Sequence, residues 1–525
     1  MFSTNLRGRY LSLAQIAFVV APSFILFGYN QAGIGGLLSL PSWTSTYPAL
    51  DTTNTTGALK SKNATNQGTV ISTFVMGALI GCLGSLYSGD ILGRRKIIFF
   101  GGLFTLIGQA LCSSSSSLIQ FIIGRVCIGT AIGIFSSIVP VWQAECSSAA
   151  HRGKHVVLDG IFISMGFAIV SWTNFASSQI KSSNSVITWR LPLALPTIFS
   201  ITIISSIFFM AESPRWLIQV GRYEDATEAL SRIKDLPFDD PEITSAIDDI
   251  RNKLDESNTK KATLKDMFTM GQDKLFYRFC LCIGLQFYQQ MSGANLISVY
   301  APVIFEQNLG LHGRMARILS GGTLTWKFLS SFVAFFTIDR FGRRPLFMIS
   351  GVGMGSCMLI LGITTGCDKD NLIASYISVV AIFMYNFFVP IGFLGANFLY
   401  CAEVAPVSLR VGMAAISTAN HWVWNFVVVM SSPVAIASIG HWYFFLFAVI
   451  GLSIPATVWM LFPETMGRTL EEIEDSFQQS ETVRAVVKTS LTSRRRVRKG
   501  GDEIDDINNK AENSLKRELS HSVSL

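Results

Sequence analysis

The chain has 525 residues, half of them hydrophobic and only 15% charged, with a formal net charge of +7. A water-soluble chain of this length needs a more charged surface, so composition excludes a soluble globular protein. The apolar residues also come in blocks. Runs of about 20 apolar residues, at roughly 1.5 Å rise each, match a bilayer core of about 30 Å.

Twelve such runs follow one another, at 13–37, 68–88, 97–115, 118–142, 156–178, 191–210, 277–304, 320–338, 346–365, 373–400, 411–435 and 441–462. Backbone inside lipid must bond internally, so each run is expected to be a helix and the chain an all-α polytopic membrane protein. The first 13 residues lead into the first run without a small-residue cleavage site, so that run is read as a retained span. Residues 1–210 form a first six-helix half and 276–470 a second. The segment 211–275, with Arg222, Glu224, Asp225, Glu228, Arg232 and Lys234 among Leu and Ile, predicts short amphipathic linker helices. Residues 471–525, carrying Arg494, Arg495, Arg496, Arg498 and Lys499, read as a solvated tail, with contact to acidic headgroups as the alternative.

Basic residues set the topology. Arg7 and Arg9, then Arg94, Arg95 and Lys96, then Arg152 and Lys154, then Arg340, Arg343 and Arg344 all share one side if both termini are cytoplasmic. The opposite side receives the loop 39–67, whose sequons place candidate glycosylation at Asn54 and Asn63. Nine cysteines fall mostly inside the apolar runs without metal-ligand spacing to His, which predicts core residues and no metal site.

The two halves echo each other. GDILGRRK at 89–96 recurs as DRFGRRP at 339–345, which puts Gly93 and Gly342 249 positions apart. Glu145 lies seven residues before Arg152, and Glu403 lies seven before Arg410. Glu212 of ESPRW matches Glu464 of PET, 252 positions on. Six spans per half is an even number, so the copies share one orientation, a parallel repeat. Such proteins bind substrate near the midplane between the halves and alternate access by rocking.

The segments FGYNQAGIGGLL (27–38), GDILGRRK (89–96), GRVCIG (124–129), PVWQAE (140–145), HRGK (151–154), ESPRWL (212–217), QFYQQMSGANLIS (286–298), DRFGRR (339–344) and PETMGRTLEEIE (463–474) occur in order. With them the chain resembles the sugar porter branch of the major facilitator superfamily, and the first loop and Arg-rich tail give it a fungal look. The resemblance implies that fold, transport of a sugar-like solute, and a monomeric state in contact with lipid. No cofactor, nucleic-acid partner or enzymatic activity is expected. Arg94, Arg95, Arg152, Arg343, Arg344 and Arg410, with Glu145, Glu212, Glu403 and Glu464, then read as a cytoplasmic gate. Screened ion pairs are worth about 0–1 kcal/mol each, so such a network can form and break within a cycle.

Amides inside apolar runs carry the functional expectation. Gln286, Gln289 and Gln290 sit at i, i+3 and i+4 on one helical face, before Ser292, Gly293 and Asn295. Amides donate and accept, which suits sugar hydroxyls. The resemblance makes Gln289, Gln290 and Asn295 sugar contacts and brings Trp422 and Asn425 near the sugar. Helix–helix bonding by the amides and packing by Trp422 are the alternatives.

Four departures from the family pattern stand out. Lys327 replaces the usual eighth-helix Asn, Gly160 the usual fifth-helix Gln, His421 an Asn and Phe398 a Trp. Two readings stand for Lys327: a structural ion pair with Asp159 or snorkelling to the interface, and recognition of an anionic group such as that of a sugar acid, with His421 helping. Proton-coupled relatives carry Asp where Asn30 stands, facing the Arg that matches Arg125, and an amide cannot titrate. Facilitated uniport follows, with proton symport through Asp159 as the alternative and a non-transporting sugar sensor as the rival from another class.

Overall fold

The computed structural model describes residues 6–147, 152–180, 186–259, 264–271, 273–311, 313–368, 371–406, 409–468 and 470–491. Every regular element among them is helical. The first half contains α1 (Gly8–Ala32), α2 (Gly57–Leu92), α3 (Arg94–Ser113), α4 (Leu118–Glu145), α5 (Arg152–Ser178) and α6 (Ile187–Phe209). The second contains α7, in two pieces (Leu275–Met291 and Ala294–Val303), α8 (Gly313–Phe341) and α9 (Arg343–Thr364). It continues with α10, also in two pieces (Leu372–Phe393 and Ala396–Val404), α11 (Arg410–Ser438) and α12 (Trp442–Leu461).

Among the described residues, nine spans are long and apolar enough to cross a membrane by composition: α1–α6, α9, α10 and α12. The other three are the polar ones. Ser292 and Gly293 interrupt α7, Lys327 lies in α8, and Asn420, His421 and Asn425 lie in α11. Large apolar side chains such as Ile80, Phe336, Val449 and Trp459 face outward, as a lipid-facing surface requires.

The halves meet along two seams, α2 against α11 and α5 against α8. Glycines set how closely they approach. A Cβ on Gly35 would lie 1.8 Å from the Val299 carbonyl oxygen of α7, and one on Gly68 2.4 Å from that of Met430 in α11. Both contacts lie on the side away from the linker. On the linker side a Cβ on Gly160 of α5 would lie 2.0 Å from the Leu394 carbonyl oxygen, where α10 breaks. Backbone touches backbone above and below the centre, so this is an occluded arrangement.

Residues 211–275 form helices at Pro214–Gln219, Tyr223–Lys234 and Pro241–Thr259, with a small core around Trp216, Leu217 and Ala226. The tail departs from its sequence reading. Residues 470–491 fold back on the linker face, where Ile473, Phe477 and Val486 are buried. Lys274 Nζ donates to the Phe477 carbonyl at 2.6 Å and Arg468 to that of Ser490 at 2.7 Å. Apolar residues at three- and four-residue spacing supply the face for this docking. The basic cluster 494–499 lies outside the described residues.

A second departure concerns glycosylation. Helix α2 starts at Gly57, well before its apolar run, so Asn63 sits inside it. The Asn63 side chain is 3% exposed, and its Nδ2 donates to the Pro48 and Asp51 carbonyls at 3.3 and 2.8 Å. A glycan would replace one of those two N–H groups and needs space that the buried Asn63 side chain does not have, so this fold disfavours Asn63 as an acceptor. Asn54 is exposed.

Candidate substrate-binding cavity

Where α7 breaks, Gly293 takes φ +94°, a conformation that costs glycine little. The break lets the second piece of α7 lean on α1, and Tyr385 of α10 ties it down by donating to the Ser292 carbonyl at 3.0 Å. Between these elements lies a tight cavity of about 30 Å³, room for no more than a water or two in this closed arrangement. Its polar wall is Gln31, Gln289, Gln290, Asn295, Lys327 and His421. Phe27, Phe167, Phe393 and Phe398 are among its apolar lining.

The polar wall is a connected network. Gln31 Nε2 donates to Asn295 Oδ1 at 2.7 Å, and Asn295 Nδ2 donates to Gln290 Oε1. His421 Nδ1 lies 2.8 Å from Gln289 Oε1, so that nitrogen donates. Its Nε2 then receives the Gln290 N–H at 3.2 Å. The His421 ring is thus held between the Gln289 and Gln290 amides, and Lys327 is the amine of the wall. Gln289 Nε2 donates to the Phe393 carbonyl at 2.7 Å. Lys327 Nζ donates to Ser298 Oγ at 2.8 Å and lies 4.5 Å from the Phe167 ring centroid, a cation–π contact.

Five of the eight substrate-binding candidates, Gln289, Gln290, Asn295, Lys327 and His421, therefore share one cavity. The other three line none of it. Gln286 accepts from Asn397 Nδ2 at 3.1 Å, behind the wall. Trp422 is fully buried with its ring 5.2 Å from Phe27 and 6.3 Å from Phe74, the packing alternative for that residue. Asn425 is buried with neither amide atom bonded. Two participants escaped the sequence reading: Gln31, next to Asn30, and Asn397, which holds both Gln286 and Gln289. Both are amides within apolar runs, the signal that singled out α7.

Lys327 neither snorkels nor pairs with Asp159. It is buried in the cavity wall, and both Asp159 carboxylate oxygens are buried without a hydrogen bond. Arg125 Nη1 donates to the Asn30 main-chain carbonyl at 3.0 Å, and its guanidinium stands 4.5 Å from the Phe74 ring centroid. The Asn30 amide turns away and donates to the Leu26 carbonyl at 2.9 Å.

At the linker face the two halves match almost atom for atom. Gly93 and Gly342, at φ +87° and +94°, start α3 and α9. Glu212 accepts the Arg95 N–H at 3.3 Å, and Glu464 accepts those of Arg343 and Arg344 at 3.0 and 3.3 Å. A carboxylate at a helix N-terminus satisfies orphan donors and the helix dipole together. Burial nevertheless pushes the Glu212 carboxyl up, against the lowering effect of these N–H groups and of Arg95. Arg94 pairs with Glu145 at 3.2 Å and Arg343 with Glu403 at 2.9 Å. Trp142 donates to the Ala211 carbonyl at 3.0 Å, and Tyr400 to that of Pro463 at 3.0 Å. Each of these contacts lies inside one half, so the gate residues brace each half and the halves meet elsewhere. The side chains of Arg152 and Arg410 lie outside the described residues.

Comparison with known proteins agrees with this architecture. The family model "Sugar (and other) transporter" matches residues 16–477. The chain is 30% identical over 462 residues to the sugar transporter STL1 of Saccharomyces cerevisiae, covering 87% of this chain and 80% of that one. It is 32% identical to the MFS-type transporter oryC of Aspergillus oryzae, over 91% of this chain and 88% of that one. Its fold superposes on the proton:xylose symporter XylE with a TM-score of 0.73 at 22% identity, over 89% of this chain and 98% of that one. Twelve spans in two repeats around a central polar cavity, together with the family match along nearly the whole chain, place it in the sugar (and other) transporter family of the major facilitator superfamily.

Proposed function

We propose that the chain carries a polyhydroxylated acid of the sugar-acid class across the membrane by alternating access, as a uniporter. The observation that carries this reading is Lys327, a buried amine on the cavity wall that meets a hydroxyl and an aromatic ring but no carboxylate. A cation in such a place costs free energy unless an anion joins it. Gln31, Gln289, Gln290 and Asn295 surround it with groups that both donate and accept, fitted to hydroxyls. Among the relatives, a probable quinate permease of Aspergillus fumigatus, 28% identical, is named for a polyhydroxylated carboxylate. The carrier works as a monomer in the plasma membrane, with the Arg- and Lys-rich linker face cytoplasmic and any glycan on Asn54.

Uptake by proteoliposomes of paired uronates and neutral sugars tests the reading. Lys327→Met is expected to lower uronate uptake on the order of 10–100-fold, the worth of a hydrogen bond to a charged group, and to spare neutral sugars. Unchanged uptake of both classes would sink it. Counterflow of labelled solute separates a carrier from a sensor, since a sensor binds without exchange.

Asn30 cannot take up a proton, which favours uniport. One observation favours symport as a second reading: the two unbonded oxygens of buried Asp159. Solute-driven proton entry into vesicles after a pH jump would establish the second reading against the first.

A further inference from the structure

The two halves contribute unequally to the cavity. From the first half come Phe27, Gln31, Ile163 and Phe167, so that Gln31 is its polar side chain there. The other polar wall groups bond within the second half: Gln289 to Phe393 and Asn397, Gln290 to His421 and Asn295, Lys327 to Ser298. Gln31 crosses the gap instead, 264 positions in sequence from its partner Asn295. The bond joins α1 to the second piece of α7, beside the place where Gly35 touches Val299. Opening the side away from the linker separates these elements, and the bond must then break. A buried amide left without a partner costs about 1–3 kcal/mol, so a solute able to take over the bond changes the balance between closed and open.

We propose that Gln31 is a specificity-determining contact: one solute hydroxyl accepts the Gln31 N–H in place of Asn295 Oδ1, and this exchange couples occupancy to closure of α1 on α7. The proposal rests on the reading that the cavity takes a polyhydroxylated solute, but not on that solute being charged. A purely structural latch would speed or slow the cycle without affecting which hydroxyls matter.

The full-length protein in proteoliposomes distinguishes these. Exchange is measured for a transported parent sugar or uronate and its series of single deoxy analogues, in wild type, Gln31→Ala and Gln31→Glu. The Glu variant keeps the side-chain shape and loses the donor, so it covers failure of the Ala variant to fold. Wild type is expected to discriminate against one deoxy position by roughly tenfold in kcat/KM, the worth of one hydrogen bond. In the variants that single discrimination is expected to fall to within about twofold while the other positions keep theirs. Unchanged discrimination at every position, with only the maximal rate altered, overturns the role of Gln31. No exchange of any sugar or uronate by wild type overturns the function on which it rests. Loss of uronate preference without change at Gln31 leaves this contact standing and concerns Lys327 alone.

Discussion

The linker-face ends of the two halves and the cavity between them record opposite histories. At the ends, Gly93, Arg94, Glu145 and Glu212 recur as Gly342, Arg343, Glu403 and Glu464, with matching bonds. At the centre almost nothing recurs: one half offers aromatic and aliphatic walls with a single amide, the other a polar network with a lysine. The ends do the same mechanical task twice, bracing a helix start against a neighbouring acid. The centre surrounds one asymmetric solute, and no solute asks for the same groups on both sides.

The largest expected effect lies where the halves touch. A Cβ on Gly160 would lie 2.0 Å from the Leu394 carbonyl, and one on Gly35 1.8 Å from that of Val299. Backbone cannot yield as a flexible side chain does, so each Ala substitution props one side open. Gly160→Ala is expected to cut exchange by roughly a hundredfold or more, on the scale of a few kcal/mol of overpacking, and to expose a thiol introduced in the cavity wall by Phe398→Cys to reagents from the linker face only. Gly35→Ala is expected to expose it from the opposite face only. Equal accessibility from both faces in either variant would break the picture of two separate seals.

A middle-sized effect sharpens the symmetry of the ends. Glu212→Gln and Glu464→Gln each remove a charged acceptor from a helix start, a loss of about 1–3 kcal/mol, read as falls in melting temperature of similar size. A large fall in one and none in the other would show that the bracing is not shared. Glu212 adds a sign. Burial holds its folded value above the unfolded 4.5, so its contribution is full below that pH and is lost as pH rises through the folded value. Stability measured upward from pH 4.5 should therefore fall less steeply in Glu212→Gln than in wild type.

The smallest effect concerns the loop before α2. Asn54→Gln is expected to remove a glycan-dependent gel shift, whereas Asn63→Gln leaves the shift and lowers stability by about 1–2 kcal/mol through its two lost bonds. A shift lost with Asn63 would restore it as an acceptor.

The twelve spans and the repeated ends were legible because their signals are local: apolar runs, and short motifs that rebuild the same turn. The α7 amides were legible by the same rule about polar groups in lipid. Where reading failed, the cause was geometry that only packing supplies. Gln286 shares a helical face with Gln289 and Gln290, yet Asn397 draws it behind the wall. Trp422 looked like a sugar platform and is held by Phe27 and Phe74. Asn63 looked like loop because helix α2 begins in polar sequence, where hydropathy gives no edge. Gln31 obeyed the rule that identified α7, but Asn30 beside it carried the question of coupling, and an amide's partner across the gap has no sequence signature.

The polarity of α7, α8 and α11 also bears on how the chain is held together. A lysine at the middle of a span costs roughly 2.5–3.5 kcal/mol on insertion scales, and α8 holds its own at Lys327. By composition, among the described residues, α8 is one of three spans, with α7 and α11, that do not read as membrane-crossing on their own. Its Lys327 Nζ meets Ser298 on α7 and the Phe167 ring on α5, both earlier in the chain. The residue offered to a solute thus also ties α8 to a neighbour in each half, Ser298 of α7 and Phe167 of α5.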